Sequence, residues 1–410
     1  MARKNYRAPL PNKILPLHRR KDFAFLRYNK LGLVFRVVTL QCPTPCHPPQ
    51  KALASGLALR LHPMNRLLIG ATDKTDLLLH FLQRDFPDGV TVIDPTGELA
   101  KAAADQLSVD LTEQAIYFEP ADMAYPLGLN VLENVLPDDR QRLTEQLCSY
   151  FEAMWPNGWG AQSNFLFANC LRLLLDNNET FLGALRLLTD PSFSKVLLPK
   201  CTDPVVAKNW AIINGWDQRQ RQAAMAPLQN KIGTLLMSPM IRNIVGQRET
   251  TFQNASIVIA NLDRAKLGDT TAKLLGGLLI ARSTGNVAIA DYGFFGAPLP
   301  LPQDRFTVTV NFLDELAPIL KQAILGIDEK YVFRTNKKDA EELSFYVGVL
   351  NPRQLTELAT DEARGIRGLL RPERPPALNR LRALKRRTRA CHAGRRLKIE
   401  RTIAEYFKST

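Results

Sequence analysis

A lysine–threonine pair follows a glycine turn in the stretch LLIGATDKTDLLL, which begins at residue 67. A phosphate-binding loop is written G-x-x-x-x-G-K-[ST], where backbone amides and the lysine hold phosphates and the hydroxyl holds Mg²⁺. In this chain the loop is two residues shorter than that motif, and Asp73 stands where the second glycine would be. The pattern predicts a strand, a tight turn and a helix. The candidate phosphate and cofactor contacts are Gly70, Thr72, Lys74 and Thr75.

The aspartate in this turn opposes phosphate binding. A fixed carboxylate about 4 Å from a phosphate oxygen costs roughly 4 kcal/mol at an effective dielectric constant of 20. Aspartate is also a good N-cap, because its carboxylate accepts hydrogen bonds from the free amides of the first helical turn. We therefore expect Asp73 to occupy the position that a phosphate would otherwise fill. An ordinary strand-to-helix turn is the alternative interpretation.

A second candidate site lies in the stretch FTVTVNFLDEL, which begins at residue 306. An apolar, β-branched run predicts a buried strand that ends in Asp314 and Glu315. Ligands of open α/β sheets bind at the carboxyl ends of the strands. An aspartate there can hold Mg²⁺ and a glutamate can polarise the attacking water in phosphate chemistry. The structural alternative is that the strand simply ends in polar residues.

Charge is distributed unevenly along the chain. The 410 residues are 45% hydrophobic and 23% charged, with a formal net charge of +14. Residues 1–36 carry +9 and residues 364–401 carry +12, which leaves −7 on the remainder. Basic ends on a mildly acidic body favour a polyanionic partner. No apolar run reaches the about 20 residues of a membrane span, and the cysteines are scattered, so we expect a cytoplasmic protein.

Three potential metal ligands lie close together in the segment CPTPCHP. Cys42, Cys46 and His47 could contribute to a zinc site, but a fourth ligand with suitable spacing is missing. Because the segment is also rich in proline, we interpret it as a reduced linker.

Predicted strands alternate with predicted helices on both sides of a long helical stretch. The strand candidates are RLLIG (66–70), GVTVIDPTGEL (89–99), AIYFEP (115–120), ASIVIANLD (255–263), FTVTVNFLDEL (306–316) and EKYVFRT (329–335). This alternation predicts an α/β fold with a mostly parallel sheet flanked by helices. We expect an amino-terminal basic arm at 1–50, a core at 51–350 with an all-helical insertion at about 131–250, and a loosely ordered basic tail at 351–410.

The order of these segments resembles the coupling proteins of conjugation and type IV secretion, the TraD/TraG branch of the HerA–FtsK superfamily of DNA-binding ATPases. The similarity runs over about 55–350. The segments that carry it are RLLIGATDKTDLLLHFL, GVTVIDPTGELA, YPLGLNVLENV, MWPNGWGAQSNFLFANCLRLLL, LQNKIGTLLMSPMIRNIVGQRETTF, IVIANLDRAKLGDTTAKLLGGLLIA, VTVNFLDEL and AILGIDEKYVFRTNKKDAEEL. The resemblance implies a RecA-like P-loop NTPase core that binds ATP and Mg²⁺.

The resemblance also implies roles for the two candidate sites. Lys74 corresponds to the phosphate-binding lysine and Thr75 to the hydroxyl that binds Mg²⁺. Asp314 corresponds to the metal-binding carboxylate and Glu315 to the catalytic carboxylate that activates water. The chain departs from the family in its short loop and after Leu316, where the family has a helix and a strand ending in a polar sensor. We therefore expect nucleotide hydrolysis to be weak or lost.

Two further residues occupy positions similar to the family's. Asp94 would line the same end of the sheet, or it would cap the turn at 95–97. Arg242 is a catalytic candidate that would face the nucleotide of a neighbouring subunit, or it would pair with a local acid. Trp155, Trp159 and Trp210 are expected to pack the helical insertion.

The expected partners follow from the same resemblance and from the basic tail. They are DNA, further copies in a homo-hexamer or an intact ATPase, and the secretion or conjugation machinery. Clustered cations neutralise phosphates without sequence preference, whereas a solvated charged tail is the alternative. The candidate nucleic-acid contacts are Lys385, Arg386, Arg387, Arg389, Arg395, Arg396 and Lys398. The competing function hypotheses are a DNA-translocation ATPase homologue and a non-catalytic binding or scaffold subunit.

Overall fold

The β-strands form one nine-stranded, mostly parallel sheet in the computed structural model, which describes residues 65–296 and 305–408. The strands are β1 (Arg66–Ile69), β2 (Val90–Asp94), β3 (Ala115–Phe118), β4 (Ile257–Asn261), β5 (Val287–Ile289), β6 (Phe306–Val310), β7 (Glu329–Phe333), β8 (Ala363–Gly365) and β9 (Gly368–Leu370). Their order across the sheet is β3-β4-β2-β5-β6-β1-β7-β8-β9. Neighbours from β3 to β7 are parallel, and β8 and β9 add antiparallel pairs. The predicted α/β fold with a mostly parallel sheet is confirmed.

The strands are apolar on both faces because helices cover both faces of the sheet. In β1, Leu67 and Ile69 belong to one hydrophobic cluster and Leu68 to the other. In β2, Ile93 belongs to the first of these clusters and Val92 to the second. Alternate residues of a strand point to opposite faces, so a parallel sheet buried on both sides needs a continuous apolar run.

Most helices of the amino-terminal half lie between β3 and β4. Those before β3 are α1 (Thr75–Asp85), α2 (Glu98–Asp105) and α3 (Val109–Gln114), with a 3₁₀ helix at Phe86–Asp88. Those between β3 and β4 are α4 (Pro137–Met154), α5 (Ala161–Asp176), α6 (Leu182–Thr189), α7 (Pro191–Leu197), α8 (Pro204–Asn214), α9 (Gln218–Met237) and α10 (Pro239–Val245), with a 3₁₀ helix at Leu198–Lys200. Helices therefore occupy most of the stretch for which we predict an insertion.

Aromatic rings pack the middle of this helical segment. Phe151 contacts Phe167 with ring centroids 4.6 Å apart. Trp159 and Trp210 are buried, and Trp155 stacks on Trp159. The predicted packing role of the three tryptophans is confirmed.

The remaining helices follow β4. They are α11 (Arg264–Leu267), α12 (Asp269–Arg282), α13 (Tyr292–Phe295), α14 (Pro318–Leu325), α15 (Lys337–Leu343), α16 (Arg353–Thr356), α17 (Leu381–Cys391) and α18 (Arg396–Lys408), with a 3₁₀ helix at Leu313–Glu315. Within the described ranges, no helix combines the length and apolarity needed to cross a bilayer. The predicted boundary at residue 350 falls before β8 and β9, which belong to the sheet.

The expectation of a loosely ordered tail is wrong, because α17 packs against β3 at the edge of the sheet. Leu384 is buried, and the Thr388 hydroxyl accepts a hydrogen bond from the Tyr117 N–H at 3.1 Å. Arg387 donates to the Ala115 carbonyl at 3.2 Å. An edge strand presents unpaired backbone groups, and these contacts satisfy two of them. The predicted arm at 1–50, with Cys42, Cys46 and His47, lies outside the described residues.

Gly70, at the end of β1, has no room for a side chain. Its φ is +144°, and a Cβ there would lie 2.7 Å from the Phe333 Cβ. We expect Gly70→Ala to lower the free energy of unfolding by more than about 2 kcal/mol, because both the backbone and the contact are strained.

Urea denaturation provides the measurement for this substitution. Gly233→Ala is the matched control, because among the described residues no atom outside its own helix backbone lies within 4 Å of a Cβ built there, and the residue is in the interior of α9. That control should be neutral or gain about 0.5–1 kcal/mol. Equal stability of the two variants would contradict the assigned contact at Gly70.

Candidate functional site

The turn between β1 and α1 is fixed by the ends of two neighbouring strands. The Gly70 N–H donates to the Val310 carbonyl at 3.1 Å, and the Ala71 N–H donates to the Arg334 carbonyl at 2.8 Å. These bonds continue the parallel pairing of β1 with β6 and β7 past Ile69. The turn is therefore closed against the sheet on both sides.

Lys74 folds back onto its own turn. Its ammonium group donates to the Gly70 carbonyl at 2.6 Å, the Thr72 carbonyl at 3.0 Å and the Asn311 Oδ1 at 3.1 Å. The side chain is only 8% exposed, and burial lowers its pKa to about 8. All three donors of the ammonium group are engaged within the protein.

Asp73, one residue before the N-cap Lys74, bonds to the first residue of α1. Its Oδ1 accepts the Thr75 N–H at 2.9 Å and the Thr75 hydroxyl at 2.6 Å. Arg374, from the segment after β9, lies 3.8 Å from Asp73 Oδ2 and donates to Asp76 at 2.6 Å. A carboxylate and its arginine partner thus lie at the mouth of the turn, and the Thr75 hydroxyl is already bonded. The Thr72 hydroxyl is buried without a hydrogen-bond partner among the described residues.

Asp314 and Glu315 do not lie at the end of a strand, which corrects the sequence-based expectation. β6 ends at Val310, and both carboxylates belong to the following 3₁₀ helix. The chain turns there because the Leu313 N–H donates to the Asp339 carboxylate at 3.0 Å. Asn311, the polar residue that directly follows β6, and the two carboxylates of the 3₁₀ helix therefore lie in different parts of the loop after the strand.

The two carboxylates have different surroundings. Asp314 is exposed and accepts two bonds from Lys338 at 2.8 and 2.9 Å, and this pairing lowers its pKa. Partial burial raises the pKa of Glu315, which accepts the Phe312 N–H at 3.4 Å. Asp314 is thus directed toward α15, whereas Glu315 lies closer to the charge of Lys74.

Sequence reasoning missed Asn311, which bonds to Lys74, and Asp291, whose charge acts on Lys74. Asn311 directly follows β6, and its amide nitrogen donates to Asp291 Oδ1 at 3.3 Å while its oxygen accepts from Lys74. Asp291 follows β5, and Arg264 lies 3.9 Å from its Oδ2. Burial raises the pKa of Asp291, and Arg264 and Lys74 oppose that shift. The sequence signal for both residues was a polar side chain after each of two consecutive strands. Because β5 is only three residues long, its pattern was too short to predict a strand.

Asp94 is a structural cap. The side chain is fully buried; its Oδ1 accepts the N–H and hydroxyl of Thr96 at 2.8 and 2.7 Å, and its Oδ2 accepts the Ala100 N–H at 2.8 Å. Both oxygens are therefore committed to the turn after β2 and the start of α2. Of the two roles open from the sequence, the capping role is the one that the contacts support.

Arg242 lies in the helical segment, next to α18. It donates to the Leu236 carbonyl at 3.0 Å, and its charge contributes to lowering the pKa of Glu400. Glu400 also accepts from Asn243 at 3.2 Å and from Arg396 at 2.8 Å. Arg242 itself forms no ion pair within the described ranges, so its role stays a prediction.

The seven candidate nucleic-acid contacts have unequal surroundings. Lys385, Arg389 and Arg396 form ion pairs with carboxylates at 2.6, 2.6 and 2.8 Å. Arg387 bonds to a backbone carbonyl of β3. The remaining three side chains form no ion pair with the described part of the chain and are exposed. They are Arg386, Arg395 and Lys398.

The residues predicted to hold Mg²⁺ do not fit that ion. The Thr75 hydroxyl is bonded to Asp73 and the Asp314 carboxylate to Lys338, so each has a separate partner. Within residues 65–296 and 305–408, no group of three or more His, Cys, Asp or Glu side chains could hold a metal ion. No metal-dependent step can be assigned to these donors as they are placed.

Comparison with known proteins finds no relative by sequence and a distant structural likeness. No family model matches the sequence, and no curated protein matches it. The solved structure of VirB4 of Thermoanaerobacter pseudethanolicus is similar, with 11% sequence identity and a TM-score of 0.49 over 77% of this chain and 90% of that chain. A likeness at this level identifies neither a shared site nor a shared activity.

The buried ammonium group of Lys74 should make the free energy of unfolding depend on pH. The folded pKa is about 8 and the ordinary value is 10.5. Between these values the unfolded chain binds more protons, so stability rises with pH. The destabilisation is full below pH 8 and is relieved by about pH 10.5. Relative to Lys74→Met, the wild-type protein should gain about 2 kcal/mol between about pH 7.5 and 10.

Urea denaturation of both proteins across this range gives the difference directly. Lys337→Met serves as the control, because that side chain is 88% exposed. A wild-type minus Lys74→Met difference that stays constant with pH, or one that Lys337→Met reproduces, would contradict the buried charge.

Proposed function

We propose that this chain is a homologue of the conjugation and type IV secretion ATPases whose phosphate loop is closed by its own side chains. It acts by binding, and nucleotide hydrolysis is weak or lost. The observation that carries this proposal is the position of Lys74, whose ammonium group bonds to Gly70, Thr72 and Asn311. A phosphate would have to replace these three acceptors and also displace the carboxylate of Asp73.

The sheet order supports a revised correspondence with the family. The resemblance first assigned β6 as the acidic strand and implied that the polar sensor strand was missing. β6 pairs directly with β1 and is followed by Asn311, and β5 pairs with β6 and is followed by Asp291. We therefore assign β5 as the acidic strand and β6 as the polar strand. Asn311 and Asp291 are hydrogen-bonded to each other, so fewer of their polar atoms are free to bind a metal ion or water.

The segment after β9 adds to the closure. Glu373 contributes a carbonyl that lies 2.7 Å from His80 Nε2 on α1, and Arg374 pairs with Asp76 on the same helix. The Pro375 carbonyl accepts from Gln106 at 3.0 Å. This segment holds Arg374 across the first turn of α1, where an incoming phosphate would approach.

The binding function that we propose uses the basic carboxy-terminal helices. DNA is the proposed partner, because its phosphates complement the exposed cations of α17 and α18 without sequence preference. A homo-hexamer, an intact ATPase or the secretion machinery would be the assembly in which such a subunit works. Peripheral association with the inner membrane through those partners is part of the same proposal.

A fluorescent ATP analogue titrated in the presence of Mg²⁺ tests the closed loop. We expect no saturable binding below about 1 mM, which corresponds to a binding free energy weaker than about −4 kcal/mol. Phosphate release with and without single-stranded DNA should equal that of Lys74→Ala and Glu315→Gln. DNA-stimulated release that both substitutions abolish would establish the translocating ATPase instead.

A further inference from the structure

A groove with four basic side chains lies along α17. Its volume is about 450 Å³. It is lined by Tyr125, Arg382, Lys385, Arg386, Arg389 and Ala390. We refer to these six residues as the α17 groove. Tyr125 comes from the loop after β3, so the groove lies between α17 and that loop.

The spacing of the arginines places them on one face of α17. Arg382, Arg386 and Arg389 are four and three residues apart, which aligns side chains along a helix. Leu384 and Thr388 are buried against β3 and hold the opposite face. The cationic face is therefore fixed in orientation by the packing of the other face.

Two of the four cations are oriented by carboxylates behind them. Lys385 bonds to Glu119 and Arg389 bonds to Asp122, each at 2.6 Å. Those carboxylates are only 14% and 17% exposed, so the cationic partners lie on the outside. Arg382 and Arg386 are exposed and form no ion pair within the described ranges. The groove therefore keeps two uncompensated positive charges.

An exposed aromatic ring completes the groove. Tyr125 is 40% exposed, and the Arg389 guanidinium lies 5.7 Å from its ring centroid. Proteins that bind single strands combine cations along the backbone with aromatic rings on which bases stack. An acidic protein segment would use the cations but would gain nothing specific from an open aromatic face.

We infer that the α17 groove binds single-stranded nucleic acid, with phosphates on Arg382 and Arg386 and a base on Tyr125. The inference rests on the proposed function, which it deepens by naming the site and the form of the partner. It also revises the nucleic-acid contacts predicted from sequence. Tyr125 and Arg382 are added to them, and Arg387 is reassigned to the contact that holds α17 on β3.

Fluorescence anisotropy of a labelled oligo-dT with the full chain tests the cations. We expect Arg382→Gln/Arg386→Gln to weaken binding at least tenfold at low salt. The slope of log K against log salt concentration should fall by about 1.4, because about 0.7 is lost per single-strand phosphate contact. The matched control is Lys208→Gln/Arg219→Gln, which removes two exposed cations from α8 and α9.

The aromatic contact has a separate readout. Tyr125→Leu should weaken oligo-dT binding about fivefold or more without changing the salt slope, because stacking carries no charge. Phe345→Leu is the control, since that ring is 86% exposed on another part of the surface. Circular dichroism melting of each variant verifies that the fold is retained.

The outcomes separate this inference from the proposed function. If the wild-type protein fails to bind oligo-dT, both the groove and the DNA-binding part of the proposed function are wrong. If it binds and the groove variants match their controls, only the groove is wrong. Polyglutamate that competes as strongly as unlabelled oligo-dT would also overturn the groove, in favour of an acidic protein partner.

Discussion

A single buried ammonium group holds the turn after β1 in its closed form. The Lys74 side chain loses hydration on burial, which lowers its pKa, and three acceptors offset part of that loss. Two of those acceptors are carbonyls of the turn itself, and the third is the Asn311 side chain at the end of the neighbouring strand. The conformation of the turn, the position of Asn311 and the contact from Asn311 to Asp291 therefore depend on one charged side chain.

The closure has a counterpart at the start of α1. The free amides of a first helical turn attract negative charge, and in this chain Asp73 supplies it from within. The turn is two residues shorter than the phosphate-binding motif, and this shortness brings Asp73 and Lys74 within reach of their own backbone. The short turn and the aspartate thus act in the same direction.

Local pattern was sufficient to predict β1, β2, β3, β4, β6 and β7, the bonding of Asp73 to the start of α1, and the packed tryptophans, but not β5, β8 or β9. It failed where an apolar run continued past the end of a strand, as in VTVNFLDEL. There the chain is turned by the bond from the Leu313 N–H to Asp339, which lies 26 residues later. Short β5 gave too little periodicity to reveal Asp291. Contacts between residues distant in sequence decide both positions, and no local pattern contains them.

The tail was misjudged for a different physical reason. Its high charge and its prolines suggested a segment that buries too little apolar surface to fold. Leu384 and Thr388 show that a narrow stripe of buried residues is enough to dock a helix when the edge of a sheet supplies the other half of the interface. Charged side chains on the remaining faces of a helix do not prevent docking.

The position of α17 beside β3 has a consequence for the solution behaviour of shortened forms. A protein ending before Leu381 would leave the Tyr117 amide and the Ala115 carbonyl facing solvent along an apolar strand. Such an uncovered strand is a template for pairing with the same strand of another molecule. α17 therefore serves to prevent self-association as well as to carry charge.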